Sequence, residues 1–187
     1  MKESIDKDQS PIRYVTLLRG VNMIGQRGIK MSEIKACFES LGYERIRSVQ
    51  ASGNIIFHSN EADSSILKFS IESALECQFG HRISVILKSQ SELRSLVKST
   101  PFEGMAVTQQ TKLLVTFLSQ KSESTLTTPY KSDKGDFEIL EVNDQVVYAV
   151  AYFLSGKPSS KVMAFLEKEF GKEITTRSWN TILKLFS

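Results

Sequence analysis

Residues 45–58 read RIRSVQASGNIIFH, two short runs rich in Ile, Val and Phe that meet around Ser52 and Gly53. β-Branched and aromatic residues on both sides of a glycine-bearing turn predict a β-hairpin. What flanks the hairpin decides the fold. Upstream, Ile34, Cys37, Phe38 and Leu41 recur at i, i+3, i+4 and i+7 and stop at Gly42, the pattern of an amphipathic helix ended by glycine. Downstream, residues 64–79 place Leu67, Ile71, Ala74 and Leu75 along a second helix. Outside these, residues 13–19 (RYVTLLR) alternate and close at Gly20, and residues 82–88 put Ile83, Val85 and Leu87 on one side. The order is β-α-β-β-α-β, the split motif of ferredoxin-like folds.

The pattern then restarts. Residues 91–98 predict a short connecting helix, followed by a loop marked by Thr100, Pro101 and Gly104. Residues 112–118 read as a strand, 123–130 as a weak helix, and 137–142 with 145–153 as a hairpin around Asn143 and Asp144. Val162, Phe165, Leu166 and Phe170 form a helix face, and residues 173–176 supply a sixth-position strand. Ser178 is placed to N-cap a last helix whose core stripe is Trp179, Ile182, Leu183 and Phe186. The expected fold class is α+β, two ferredoxin-like βαββαβ halves with an additional C-terminal helix. Its expected boundaries are a tail at 1–12, a first half at 13–89, a connection at 90–110 and a second half at 111–187.

Composition narrows the function classes. With 187 residues, 41% of them hydrophobic, the chain buries a core without disulfide or metal support. Its 24 Lys and Arg against 21 Asp and Glu leave +3, too little to mark a polyelectrolyte partner. The longest apolar run, residues 146–154, is nine residues, and a membrane-spanning helix needs about 20. The first twelve residues lack the apolar core of a secretory signal. Cys37 and Cys77 sit in apolar helical patterns without C-x-x-C spacing, which predicts reduced core thiols and a cytoplasmic setting. Only two histidines occur, His58 and His81, without H-x-x-x-H spacing, and G-x-S-x-G is missing, so neither a metal centre, a cofactor nor a serine-hydrolase site is expected.

Charge is uneven along the chain. Residues 13–50 carry a net +4 and residues 157–187 a net +3, against −3 for residues 51–156. In the first basic piece, residues 19–30 (RGVNMIGQRGIK) pack three glycines and three cations between a strand and a helix, a composition suited to an anion. It is not a P-loop, because Gln26 and Arg27 stand where Lys and Ser or Thr are required. In the expected sheet the first strand lies between the third and fourth. Arg19 and Asn22 should then approach Ser52, Gly53 and Asn54, and the candidate ligand cluster is Arg19, Asn22, Lys30, Ser52 and Asn54. The competing reading is that Ser52 and Asn54 serve only the hairpin backbone.

The second basic piece offers Arg177, Asn180 and Lys184, the last two one turn apart on a helix face opposite the core, beside Trp179 as a packing anchor. An anionic small molecule is the expected partner. Nucleic acid ranks well below it, because the third strand lacks the basic-Gly-aromatic run of an RNA-recognition sheet, although Tyr14 and Phe57 are present on the central strands. No membrane partner is expected. An enzyme working in the same pocket, or a protein–protein adaptor, ranks lower, since no nucleophile or general base stands out.

Read together, the segments Leu17-Leu18-Arg19-Gly20-Val21-Asn22, Gln50-Ala51-Ser52-Gly53-Asn54 and Thr176-Arg177-Ser178-Trp179-Asn180-Thr181 resemble those of the domain of unknown function 1697 family, which is mainly bacterial. The resemblance runs from about residue 13 to residue 186. It implies an α+β fold with ferredoxin-like parts, and it implies no reaction or catalytic residue.

Overall fold

Strand β1 (Ile12–Leu18) is the spine of the first sheet in the computed structural model, which describes residues 10–21, 29–50, 53–105, 107–153 and 161–186. It is followed by helix α1 (Met31–Ser40), strands β2 (Glu44–Ser48) and β3 (Asn54–Ser59), helix α2 (Ser64–Phe79), strand β4 (Val85–Ser89) and helix α3 (Gln90–Lys98). β1 pairs antiparallel with β3 on one side and β4 on the other, giving the order β2-β3-β1-β4. Val15, Thr16, Leu17 and Leu18 are all buried, as a central strand with both faces covered requires.

Both predicted helices form, and they cover one face of this sheet. Ile34 and Phe38 of α1 and Leu67, Ile71 and Leu75 of α2 join Tyr14, Leu18, Ile55 and Phe57 in one core. The ends of α2 follow from local chemistry. The Asp63 carboxylate accepts the Ser65 N–H at 2.8 Å, and Gly80 closes the helix at φ 73°. Cys77 is exposed, contrary to the expectation of a core thiol, because it lies two residues past Leu75 and so on the far side of the buried stripe; Cys37 is buried.

The second sheet comprises β5 (Thr111–Leu118), β6 (Tyr130–Lys131), β7 (Phe137–Val142), β8 (Val146–Tyr152) and β9 (Ile174–Ser178), with helices α4 (Lys161–Phe170) and α5 (Trp179–Phe186). Its order is β6-β7-β8-β5-β9. The whole is a mixed α/β fold with two antiparallel sheets and, among the described residues, five helices. The chain divides into two compact units, Met1–Glu92 and Leu93–Ser187, one sheet in each.

Two expectations fail in the second unit. Residues 123–130 form no helix. Ser122 Oγ accepts the Ser124 N–H at 3.2 Å and Ser124 Oγ accepts the Leu126 N–H at 3.1 Å, so hydroxyls take the backbone donors that a helix would use. The segment leads instead into the added edge strand β6. In α5 the buried side chains are Thr181, Ile182 and Leu185, while Leu183 is exposed. The helix starts directly from β9 at Trp179, and that start sets which stripe faces inward.

Tyr14 and Phe57 sit opposite each other in register and stack at 5.6 Å. They share a face, but it is the helix-covered one, with exposures of 3% and 0%. A pair buried in this way offers no platform for nucleic-acid bases.

Candidate functional site

Leu17 pairs with Asn54, so the end of β1 meets the start of β3. The Leu18 N–H donates to the Gly53 carbonyl at 2.8 Å, and the Arg19 N–H donates to the Ser84 carbonyl at 3.1 Å. Gly53 has φ +73°, and a Cβ added there would lie 2.7 Å from Val21 Cγ2 and 3.1 Å from Leu18 Cβ. Glycine is needed twice over at this position, once for the backbone angle and once for the close approach. The turn thus closes onto the strand end and brings Arg19 and Asn54 to the same end of the sheet. Asn22 and Ser52, together with residues 23–28 of the glycine-bearing stretch, lie outside the described residues.

Asn54 is wholly buried. Its Nδ2 donates to the Val49 carbonyl at 2.9 Å, and the Val49 N–H donates to the Asn54 carbonyl at 3.0 Å. It braces the hairpin from inside. Lys30 is exposed at the start of α1, where its N–H donates to the Glu33 carboxylate at 3.0 Å. One donor of the helix start is therefore already satisfied.

In the second unit Arg177 lies on β9 opposite Val115 of β5. Burial pulls its pKa down to about 10, still charged at neutral pH, and its Nη1 donates to the Thr176 carbonyl at 2.9 Å. Asn180 and Lys184 are exposed on α5. The strand residue and the two helix residues therefore occupy different environments. Trp179 packs edge-on against Phe102 at 5.3 Å, and Phe102 packs against Tyr148 at 5.8 Å, so the indole buttresses this unit.

Sequence reasoning passed over Lys88, Ser89 and Glu92. Lys88 stands opposite Val15 in the first sheet as Arg177 stands opposite Val115 in the second. Its ammonium lies 3.0 Å from the Glu92 carboxylate. Glu92 also accepts the Ser89 N–H at 2.7 Å, and Ser89 Oγ accepts the Glu92 N–H at 3.2 Å, a reciprocal cap at the head of α3. Burial pushes the Glu92 carboxyl up, but the hydrogen bonds from Ser89 and Lys88 outweigh it and hold the group below its ordinary value. The legible signal was Ser-x-x-Glu directly after a strand.

At the corresponding end of the second sheet, where β5 leaves at Leu118 and Ser119, a cavity of about 610 Å³ opens. Ser122, Ser124 and Thr125 line it from one side and Glu169, Lys172 and Glu173 from the other, with Ser124 Oγ donating to Glu169 at 2.5 Å.

Residues 12–148 match the model of a family described as protein of unknown function (DUF1697). Among solved structures, the chain is similar to the conserved bacterial protein SP0830 from Streptococcus pneumoniae, with 18% identity and a TM-score of 0.66 over 95% of this chain and 98% of that one. At that identity the likeness speaks to the fold. No curated protein matches the chain. The family match spans well over half of the sequence, and the chain belongs to this family.

Proposed function

We propose that this family member is a binding protein that takes an anionic small molecule, or the phosphate of a larger one, at the end of the first sheet where the chain leaves β1. The observation that carries the reading is the closure of Gly53 onto Leu18 and Val21, which holds the hairpin turn against the origin of a segment bearing Arg19, Arg27 and Lys30. A planar guanidinium just past the strand and an ammonium at the start of the next helix are groups that suit a multivalent oxyanion. Asn54 keeps the turn in place.

The same reading takes each unit as a ferredoxin-like half and the chain as an internal duplication in a bacterial, cytoplasmic setting. Equivalent backbone contacts support the duplication. Leu18 donates to Gly53 as Leu118 donates to Gln145, at 2.8 and 2.9 Å, and Arg19 donates to Ser84 as Ser119 donates to Glu173, both at 3.1 Å. Two cysteines without a bridge support a reducing compartment.

The test is a thermal-shift screen of inorganic phosphate, nucleotides, sugar phosphates and short RNA and DNA, on wild type and on an Arg19→Ala, Lys30→Ala variant. A ligand at 100 times its dissociation constant stabilises by about 2.7 kcal/mol. Stabilisation of the wild type by one phosphate class, lost in a variant that melts normally, is the expected result. Equal stabilisation of both proteins, or none of either, removes the reading.

A further inference from the structure

A second cavity, of about 370 Å³, lies in the first unit between the end of α1, the start of α2 and the sheet edge. This volume is within the range of small-molecule sites, roughly 300–1,000 Å³. Its walls are of two kinds. Leu41, Tyr43 and Ile66 supply apolar surface, and the charged lining residues are Glu44 and Glu61, with no Lys or Arg among the described lining. Ile66 is 51% exposed, a large aliphatic side chain left half open at the rim.

Glu61 is held in place from three directions. Its N–H donates to Ser59 Oγ at 3.1 Å, its carboxylate accepts the Asp63 N–H at 2.7 Å, and its carbonyl accepts the Tyr14 hydroxyl at 3.0 Å. Tyr43 packs on Phe57 at 4.5 Å. Its hydroxyl pKa is raised by burial and then by the charge of Glu61, which places the carboxylate within electrostatic reach of the ring. His58 also lines the cavity. Burial, Arg45 and Arg13 lower its pKa against the opposing pull of Glu44, so at neutral pH the imidazole adds no positive charge.

We propose that this cavity binds a small organic cation, an amine with an apolar body, whose ammonium sits between Glu44, Glu61 and the face of Tyr43 and whose hydrocarbon part covers Ile66. Carboxylates beside an aromatic ring are the pairing that recognises ammonium groups, through charge and through the quadrupole of the ring. A bare metal ion fits less well, since the described residues hold no group of three or more potential ligand side chains. The site is separate from the strand-end cluster, and either proposal stands or falls without the other.

The experiment follows the Ile66 methyl and Tyr43 ring signals of the full chain by NMR at neutral pH. The probes are phenethylamine, benzylamine and agmatine, with 2-phenylethanol and 3-phenylpropionate as neutral and anionic counterparts of the first. Saturable shifts at millimolar amine, with affinity at least about tenfold above the alcohol and none for the acid, are expected. A Glu44→Gln, Glu61→Gln variant should lose that advantage while keeping its melting temperature, because the amide introduced by Glu61→Gln retains an oxygen for the Asp63 N–H. Tyr43→Phe, which keeps the ring face, should bind nearly as wild type. Equal binding of amine and alcohol, unchanged binding by the charge-neutral variant, or no shift with any of the three amines overturns the proposal.

Discussion

The two sheets solve one topological problem with different numbers of helices. In the first, α1 and α2 both cover the core face, and Phe38 of α1 meets Phe57 at 5.4 Å. In the second, the strands β7-β8-β5-β9 keep the order, but the segment after β5 forms no helix and, among the described residues, α4 is the helix between the hairpin and β9. The aromatic plug comes from elsewhere, with Tyr130 of β6 stacking on Phe165 at 4.9 Å and Phe165 meeting Phe137 at 5.2 Å. Strand order is carried by the ladder hydrogen bonds and the hairpin. A helix on the face is replaceable by any apolar cover that keeps water off the strands. The 610 Å³ cavity lies beside the segment that forms no helix.

The contrast in plugs gives the largest expected effect. Phe38→Ala should destabilise by about 3–5 kcal/mol in denaturant unfolding, since the ring is wholly buried. Tyr130→Ala, at a partly exposed edge strand, should lose about 1–2 kcal/mol. Equal losses would mean that the edge strand is as much a part of the core as the helix is.

Next comes the turn. Gly53→Ala meets a left-handed backbone and the Val21 and Leu18 atoms together, and should lose roughly 2–4 kcal/mol. At the corresponding residue of the second sheet a side chain is already present, and Gln145→Ala should change stability by less than about 0.5 kcal/mol. A mild Gly53→Ala would show that the hairpin turn does not depend on this close approach.

Thr16 and Thr116 occupy the same register position but have opposite outcomes. Thr116 Oγ1 bonds Thr176 Oγ1 at 2.8 Å, whereas Thr16 faces Leu87 and its buried hydroxyl has no hydrogen-bond partner among the described residues. Thr16→Val should therefore stabilise and Thr116→Val destabilise, each by about 1 kcal/mol, and calorimetry of the two variants reads the sign directly. The same sign for both would dissolve this part of the comparison.

The cap effects are of similar size. Ser89→Ala and Ser178→Ala should each lose about 1 kcal/mol, because each hydroxyl accepts a helix-start N–H, that of Glu92 in α3 and that of Thr181 in α5. They differ in pH dependence. The Glu92 carboxyl is held below its ordinary value in the folded chain, so its contribution is present above the unfolded pKa and lost as pH falls through the folded one. Glu92→Gln should flatten the acid limb of stability against pH, whereas a substitution at Thr181 should leave that limb alone. An unaltered acid limb in Glu92→Gln would remove the carboxylate from the cap.

Much of the first unit was legible because its signals are local. The residue 64–79 helix agrees to the residue, and the hairpin, the Gly42 stop and the order of strands followed from periodicity and glycine placement. Residues 123–130 misled because Ser and Thr carry a helix-compatible pattern while their hydroxyls offer the backbone other partners. Near the candidate site, the meeting of the end of β1 with Gly53 and Asn54 was legible from topology. The burial of Asn54, the pairing of Lys88 with Glu92 and the cavity around Tyr43 and Glu61 were not, because each depends on atoms whose approach the fold decides.

By itself the sequence determined the element order of the first unit and the lack of an apolar run long enough to span a membrane as a helix. These rest on period, propensity and chain length, which neighbouring residues decide. Only the tertiary structure decided which face of each strand is covered, that Tyr14 and Phe57 are sealed beneath helices, and that Gly53 must be glycine because Val21 lies 2.7 Å from where its Cβ would be. Burial and close approach are properties of pairs far apart in the chain, and no local pattern encodes them.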